Sequence, residues 1–259
     1  MPQLTVPKVE ACKVKIPPLP EQRAIAAILR TWDNAIELTR TLIAEKQQRK
    51  RALMQQLLTG KKRLPGFVGE WKEIKLGELF SERNEAGRFD LPLLSITADR
   101  GVILQSESDK KDTSNADKSL YRRICPGDIG YNTMRMWQGR SALSALEGIV
   151  SPAYTIVTPK SNADAKFFSY LFKLPAVVHL FFRNSQGLVD DTLNCKFHDF
   201  AKVRVLVPPK PEQMAIARLL IAVDAELDIL QAKADALREQ KKGLMQKLLT
   251  GEWRVGVEE

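Results

Sequence analysis

The chain has 259 residues, 44% of them hydrophobic and 27% charged, with 40 Lys and Arg against 31 Asp and Glu. That composition excludes a wholly disordered chain. No run approaches the ~18 consecutive apolar residues of a membrane span and Met1-Pro2-Gln3 opens no signal peptide, so the cytoplasm is the expected compartment and no membrane is expected as a partner. The net charge of +9 is concentrated in residues 1–63, with 13 basic and 5 acidic side chains, chiefly Lys46, Arg49, Lys50, Arg51, Lys61, Lys62 and Arg63. Such a cluster can neutralise nucleic-acid phosphates or lie as a solvated helix face.

An internal repeat orders the elements. Residues 16–60 recur as 207–251 at an offset of 191 without a gap, and 18 of the 45 positions are identical, among them Pro17/Pro208, Glu21/Glu212, Gln22/Gln213, Asp33/Asp224 and Leu53-Met54/Leu244-Met245. Each copy reads as a short β-branched strand (Val14–Ile16, Val203–Val207), a Pro-rich turn and a helix of about 40 residues, roughly 60 Å at 1.5 Å per residue. Pro20 and Pro211 suit a first helical turn, Glu21 and Glu212 face the positive end of the helix dipole, and Gly60 and Gly251 are terminators.

Apolar residues alternate at spacings of four and three through Ile25, Leu29, Trp32, Ile36, Thr39, Ile43, Lys46, Lys50, Leu53 and Leu57. The second copy keeps the same phase through Ile216, Leu220, Val223, Leu227, Leu230, Ala234, Leu237, Lys241, Leu244 and Leu248. This is a coiled-coil seam too narrow to be buried by one helix, so the two helices are expected to pair with each other, antiparallel because a domain-sized stretch, residues 61–206, separates them. Lys50 and Lys241 occupy equivalent seam positions, where a lysine either sets register or snorkels to water.

Between the copies, residues 61–206 form a mixed α/β domain entered through the turn-rich Arg63–Phe67 stretch. Strands are expected at Ile74–Phe80, Leu93–Thr97, Ile129–Asn132 and Ala153–Thr158. Ser106–Ser119 reads as a mobile loop. The aromatic-rich Phe167–Phe182 stretch reads as one or two buried helices broken near Pro175, its rings serving as core rather than as a base-stacking platform. The chain is thus α+β: a mixed α/β domain between two long helices forming an antiparallel coiled coil. Its segments are 1–16, 17–60, 61–206, 207–251 and 252–259.

Motifs for catalysis, phosphate cradling and metal binding are missing: the sequence contains no GxxxxGK[ST], GxSxG or HExxH, and no GxGxxG following a strand. His179, in an apolar run, reads as a packed histidine and His198 as a surface one; Asp190-Asp191 reads as a loop pair. Cys12, Cys125 and Cys195 lack metal-ligand spacing and read as buried thiols in a reducing compartment. We therefore expect no cofactor, no metal and no catalytic residue.

What stands out is a set of guanidinium, amide and aromatic groups in the expected loops. The densest stretch holds Asn132, Arg135, Trp137, Gln138 and Arg140. Arg can bond bidentately to guanine, and Asn or Gln to adenine, in the major groove. Arg83, Asn84, Arg88, Arg100, Arg183, Asn184 and Gln186 are candidates on the same argument, whereas Lys110, Lys111, Arg122 and Arg123 suit phosphate positioning. Trp137 serves equally as a packing residue.

The two Pro-Pro-x-Pro-Glu-Gln turns, each leading a helix that ends in Leu-Met-Gln-x-Leu-Leu-Thr-Gly, resemble the conserved regions of type I restriction–modification specificity subunits. Arg63–Phe67 with Glu70-Trp71 and Leu76–Leu79 is similar to the family's entry into a target recognition domain, and Pro126–Ile129 and Gly148–Tyr154 are similar to features inside one. The resemblance implies a non-catalytic reader of double-stranded DNA. Its recognition domain would read half of a split target, and its helices would dock modification (methyltransferase) subunits and through them the restriction subunit. The family carries two recognition domains and this chain has room for one. Residues 4–16 align at the same offset with 195–207, as the tail of a first domain would, so a half-sized homodimerising subunit and the C-terminal part of a longer one both remain open. A homodimer predicts a palindromic split target. The competing reading is an assembly scaffold that binds modification subunits without reading DNA; a stand-alone nuclease or methyltransferase is disfavoured by the missing motifs.

Overall fold

The computed structural model describes residues 16–97, 100–108, 114–187 and 192–256. They divide into two compact units: one takes the chain up to Arg49 with that from Val223 onward, the other Lys50–Ala222. The expectations for residues 1–15, Lys110, Lys111, Asp190-Asp191 and residues 257–259 lie outside the described residues.

In chain order the elements are α1 (Leu19–Leu57), β1 (Lys72–Lys75), α2 (Leu76–Leu79), β2 (Phe80–Glu82), β3 (Leu94–Ile96), β4 (Val102–Leu104), β5 (Arg122–Ile124), β6 (Ile129–Asn132), β7 (Ser141–Leu143), β8 (Gly148–Val150), β9 (Tyr154–Pro159), α3 (Ala165–Leu171), α4 (Pro175–Asn184), α5 (Phe197–Phe200), β10 (Arg204–Val207) and α6 (Lys210–Thr250). Single 3-10 turns occupy Gln105–Glu107 and Met136–Gln138.

Both long helices begin and end as the repeat requires, over 39 and 41 residues. At their N-termini the Gln22 and Gln213 amides donate to the Pro17 and Pro208 carbonyls, at 2.8 and 2.9 Å. At their C-termini Gly60 (φ +72°) and Gly251 (φ +74°) take the left-handed conformation open to glycine. Equivalent backbone bonds then close both ends, Lys62 N–H to Gln56 and Trp253 N–H to Lys247, each 3.1 Å.

Every seam position expected from the sequence is buried or half-buried, while the intervening helix positions are mostly exposed. In the unit holding Arg49 and Val223, Lys46 bonds Glu226 at 2.6 Å, Lys241 bonds Asp33, and Arg254 bonds Glu21 at 2.6 Å. Partner numbers rise on one helix as they fall on the other, so the helices run antiparallel there. Lys241 thus does not merely snorkel to water; it bonds a carboxylate on the other helix.

In the second unit, β1 pairs antiparallel with β10, Ile74 opposite Val205. This ribbon joins the domain's entry to its exit and explains how so long an insertion leaves and rejoins one place. The main sheet has the order β2-β9-β6-β7, all antiparallel, and β3–β4 and β5–β8 are two-stranded pairs. The core lies between the main sheet and α3, α4 and α5. Phe80, Phe168, Phe172, Phe181 and Phe200 are fully buried there, Phe80 meeting Phe168 edge-on at 5.0 Å and Phe181 stacking on Phe200 at 5.8 Å. Most rings of the aromatic stretch are therefore core, Phe182 being the exposed exception, and its helices break where Pro175 begins α4. No single described helix is long and apolar enough to cross a membrane.

Four expectations need correction. Ile74–Phe80 is not one strand: α2 interrupts it, because Leu76 and Leu79 are both buried at helical spacing and Gly77 sits so close to Ala201 that a Cβ would lie 2.9 Å from that side chain. The three-residue strands β4, β5, β7 and β8 were not expected, being too short to show an alternating pattern. His179 is exposed, stacked beside Phe182 on the outer side of α4, rather than packed in the core. Cys195 is buried, its thiol pushed up to about 12 by desolvation and then by Asp199, whereas Cys125 is only half-buried.

Candidate nucleic-acid interface

The turn joining β6 to β7 is closed by a series of backbone hydrogen bonds. Asn132 N–H donates to the Arg140 carbonyl, Arg135 N–H to Asn132, Gln138 N–H to Arg135 and Gly139 N–H to Met136, at 2.8–3.0 Å. The Asn132 side-chain oxygen accepts from Met134 N–H at 3.0 Å, and the Trp137 indole donates to the Met134 carbonyl at 3.0 Å. Met136 anchors the turn, fully buried. Gly139 is left-handed at φ +73°, and a Cβ there would come within 3.1 Å of Val178. With its backbone so fixed, the turn exposes Met134, Arg135, Gln138 and Arg140.

Trp137 is half-buried and packs edge-on to Phe182 at 6.2 Å. Of the two roles open to it, the structure supplies a packing one. The contact brings the end of α4 beside the turn, with Arg183 exposed and the Asn184 amide turned back to the Leu180 carbonyl at 2.8 Å. Gln186 is exposed, its backbone bridging to Asn194. These candidates gather around one turn, though the sequence scattered them over some fifty positions.

Arg83, Arg88, Arg100, Arg122 and Arg123 are each bonded within the domain. Arg83 donates to Asp128 through Nε at 2.7 Å and to Glu85 through Nη1 at 2.7 Å; the bond from Asp128 leads the effects that raise its affinity for the proton. Arg123 bonds Glu85 and Glu147, Arg122 bonds Glu82 at 2.8 Å, and Arg88 clasps Asp90, holding that carboxyl down at about 2. Arg100 donates to the Glu107 carbonyl at 3.0 Å, and Asn84 is exposed just past β2. Arg83, Arg122 and Arg123 thus join β2 and β5 to the loops around β6 and β8, whereas Arg88 pairs within its own loop; each is held by a carboxylate of the domain. Glu85 and Asp90 stand two residues from Arg83 and Arg88, but the Asp128 that holds Arg83 and the Glu82 that holds Arg122 lie 45 and 40 residues away, beyond any local sequence pattern. Beside the turn, an open cleft of about 500 Å³ takes in Thr133, Met134, Arg122, Asn194 and Lys196.

The basic cluster is divided in the same way. Lys46 pairs with Glu226, the Lys50 ammonium lies 5.5 Å from the Tyr170 ring centre, and Arg63 grips the buried Glu212 through Nε and Nη2, both at 2.6 Å. Arg49, Arg51, Lys61 and Lys62 are exposed. The Arg63–Glu212 clasp was missed from sequence, as was its counterpart, Arg254 gripping the buried Glu21 and lowering that carboxyl below its ordinary range. Arg63 and Arg254 stand 191 residues apart, as Glu21 and Glu212 do. Extending the repeat three residues past its glycines would have found both. Lys173, whose ammonium bonds the Gly139 and Ser141 carbonyls of the turn, was missed as well.

Comparison with known proteins gives three concordant results. A model of the type I restriction modification DNA specificity domain matches residues 1–47. The chain is 29% identical over 271 residues to a Methanocaldococcus jannaschii protein described as a type I restriction enzyme MjaX specificity subunit, covering 94% of this chain and 60% of that one. It is 25% identical over 275 residues to the type I restriction enzyme MjaVIII specificity subunit of the same organism, covering 95% and 63%. This chain therefore spans about three-fifths of the length of the curated relatives it matches. Among solved structures, the HsdS subunit from Thermoanaerobacter tengcongensis shares the fold with a TM-score of 0.53 at 19% identity, over 97% of this chain and 64% of that one. The type I restriction–modification S subunit from M. genitalium shares it with a TM-score of 0.56 at 16% identity, over 90% and 61%.

Proposed function

From the kinship of this chain to type I restriction–modification specificity subunits, we propose that it is the DNA-reading, non-catalytic subunit of such a complex. The observation that carries the proposal is the β6–β7 turn: a backbone fixed by its own hydrogen bonds, presenting Arg135, Gln138 and Arg140 outward. Rigid presentation of guanidinium and amide groups suits bidentate reading of guanine and adenine edges. Arg183 and Gln186 extend the same surface, and Lys196 on the neighbouring cleft suits a phosphate. The domain 61–206 is then the target recognition domain, reading one half of a split site.

The two helices act as an antiparallel coiled coil that sets the spacing between half-sites and docks methyltransferase subunits. Exposed apolar residues on the helices support docking: Leu38 and Leu42 share one face of α1, and Ile229 is exposed on α6. The repeat supports a second recognition domain on equivalent residues. Leu58 is 1% exposed against the core of the second unit, whereas its counterpart Leu249 is 60% exposed; Gln213 is buried and its counterpart Gln22 is exposed. A second copy of this chain or the remainder of a longer one would supply that domain.

Selection from a random duplex pool at physiological salt, with and without a cognate modification subunit, tests the proposal. An enriched split motif is the expected result, and identical inverted halves would identify a homodimer. A folded protein that binds its modification subunit but enriches nothing would replace this reading with the assembly scaffold, which the internal pairing of Arg83, Arg88, Arg122 and Arg123 favours.

A further inference from the structure

Lys173 stands just past α3, at the corner before α4, with its backbone N–H bonded to the Tyr170 carbonyl at 3.0 Å. The residue as a whole is exposed, yet its ammonium is turned inward, donating to the Gly139 carbonyl at 2.7 Å and to the Ser141 carbonyl. These two carbonyls flank Arg140. No carboxylate among the described residues pairs with this ammonium within 4.0 Å, and the charge that acts on it is the like charge of Arg140. At its β6 end the turn is tied through Thr133, whose N–H and hydroxyl donate to the Ala153 carbonyl and whose carbonyl accepts from Cys195 N–H; at its β7 end Gly139 lies against Val178, and Trp137 packs against Phe182. A charged donor bonding two adjacent carbonyls from a different element restrains both peptide planes. Repulsion between two cations with no anion between them also favours an Arg140 guanidinium directed away from Lys173.

We infer that Lys173 is a positioning residue for the β6–β7 turn, clamping the Gly139 and Ser141 carbonyls and holding Arg140 outward, so that base preference depends on a side chain that touches no base. The inference rests on the proposed reading of DNA by Arg135, Gln138 and Arg140. Lys173→Met removes the donors while keeping an unbranched chain; Lys173→Arg restores two donors to the same pair of acceptors.

Amide hydrogen exchange on the full chain without DNA is measured first, then duplex selection with each variant. Lys173→Met is expected to speed exchange at the Gly139 and Arg140 amides at least tenfold while leaving Ile129 and Val157 in the sheet unchanged. It should also relax the enriched motif at one or two base pairs, and Lys173→Arg should restore both properties. Unchanged exchange at the turn in Lys173→Met would overturn the clamp. Faster exchange with an unaltered motif would overturn its part in base preference. If the unmodified protein enriches no motif, the DNA-reading proposal fails instead, and the exchange result alone decides whether the clamp exists.

Discussion

Asp128 does more for the second unit than its place in a Pro-Gly-Asp turn suggests. It is 1% exposed and accepts from Arg83 Nε at 2.7 Å, Cys125 N–H at 2.8 Å and Thr158 Oγ1 at 2.7 Å, with Arg83 Nη2 at 3.3 Å. It therefore ties the start of β6 to β9 and to the residue after β2. Asp128→Asn removes the charge from a buried, multiply bonded pair and points an N–H at donors. A loss of about 3 kcal/mol is expected, measured as a lower urea midpoint with unchanged m-value. Lys173 makes a second prediction at this scale. Desolvation, and then Arg140, lower it from 10.5 to about 8. Between those values the unfolded chain binds the proton that the folded chain has released, so stability rises with pH through that interval. The cost of holding the cation is fully present below pH 8 and relieved by about pH 10.5. The stability of the unmodified protein relative to Lys173→Met should therefore improve as pH rises from 8 to 10.5, read by chemical denaturation at matched ionic strength. A difference independent of pH would contradict the lowered value.

The long helices show which sequence signals carry furthest at the scale of elements. Periodicity sustained over ten seam positions in each copy identified the buried face, because only one face of a helix can point at a neighbour. Ala234 is fully buried in this seam, where a larger side chain would force the helices apart. Ala234→Leu should cost ~1–3 kcal/mol by overpacking, read as a lower thermal midpoint, while Ala232→Leu on an exposed position should cost little. The short elements were less legible. A three-residue strand carries no period, and β5 and β8 take their identity from pairing with each other, Arg123 opposite Ile149, rather than from their own composition. α2 was hidden for the converse reason: Ile74, Leu76 and Phe80 fit alternation, and only the burial of Leu79 distinguishes a helical turn.

At the scale of the whole molecule the relevant quantity is charge that remains available. Of the basic cluster, Arg51, Lys61 and Lys62 are exposed within the second unit. If each contacts a phosphate, the triple change to Glu should reduce the slope of log affinity against log salt by about 2.7, at ~0.9 per contact, with no change in the enriched motif. An unchanged slope would make these residues a solvated face. The repeat, its long helices and the resemblance their motifs carry were legible in the amino-acid order, because each is carried by periodicity or by self-similarity within the chain. Which arginines are engaged and which are exposed was not. Arg83, Arg122 and Arg140 look alike in sequence, and only the folded chain sets Asp128 and Glu82 against the first two while leaving the third exposed where the turn enters β7. Lys173 and Gly139, 34 positions apart, meet for the same reason: hydrogen bonds and ion pairs across elements depend on three-dimensional proximity, and no local pattern encodes it.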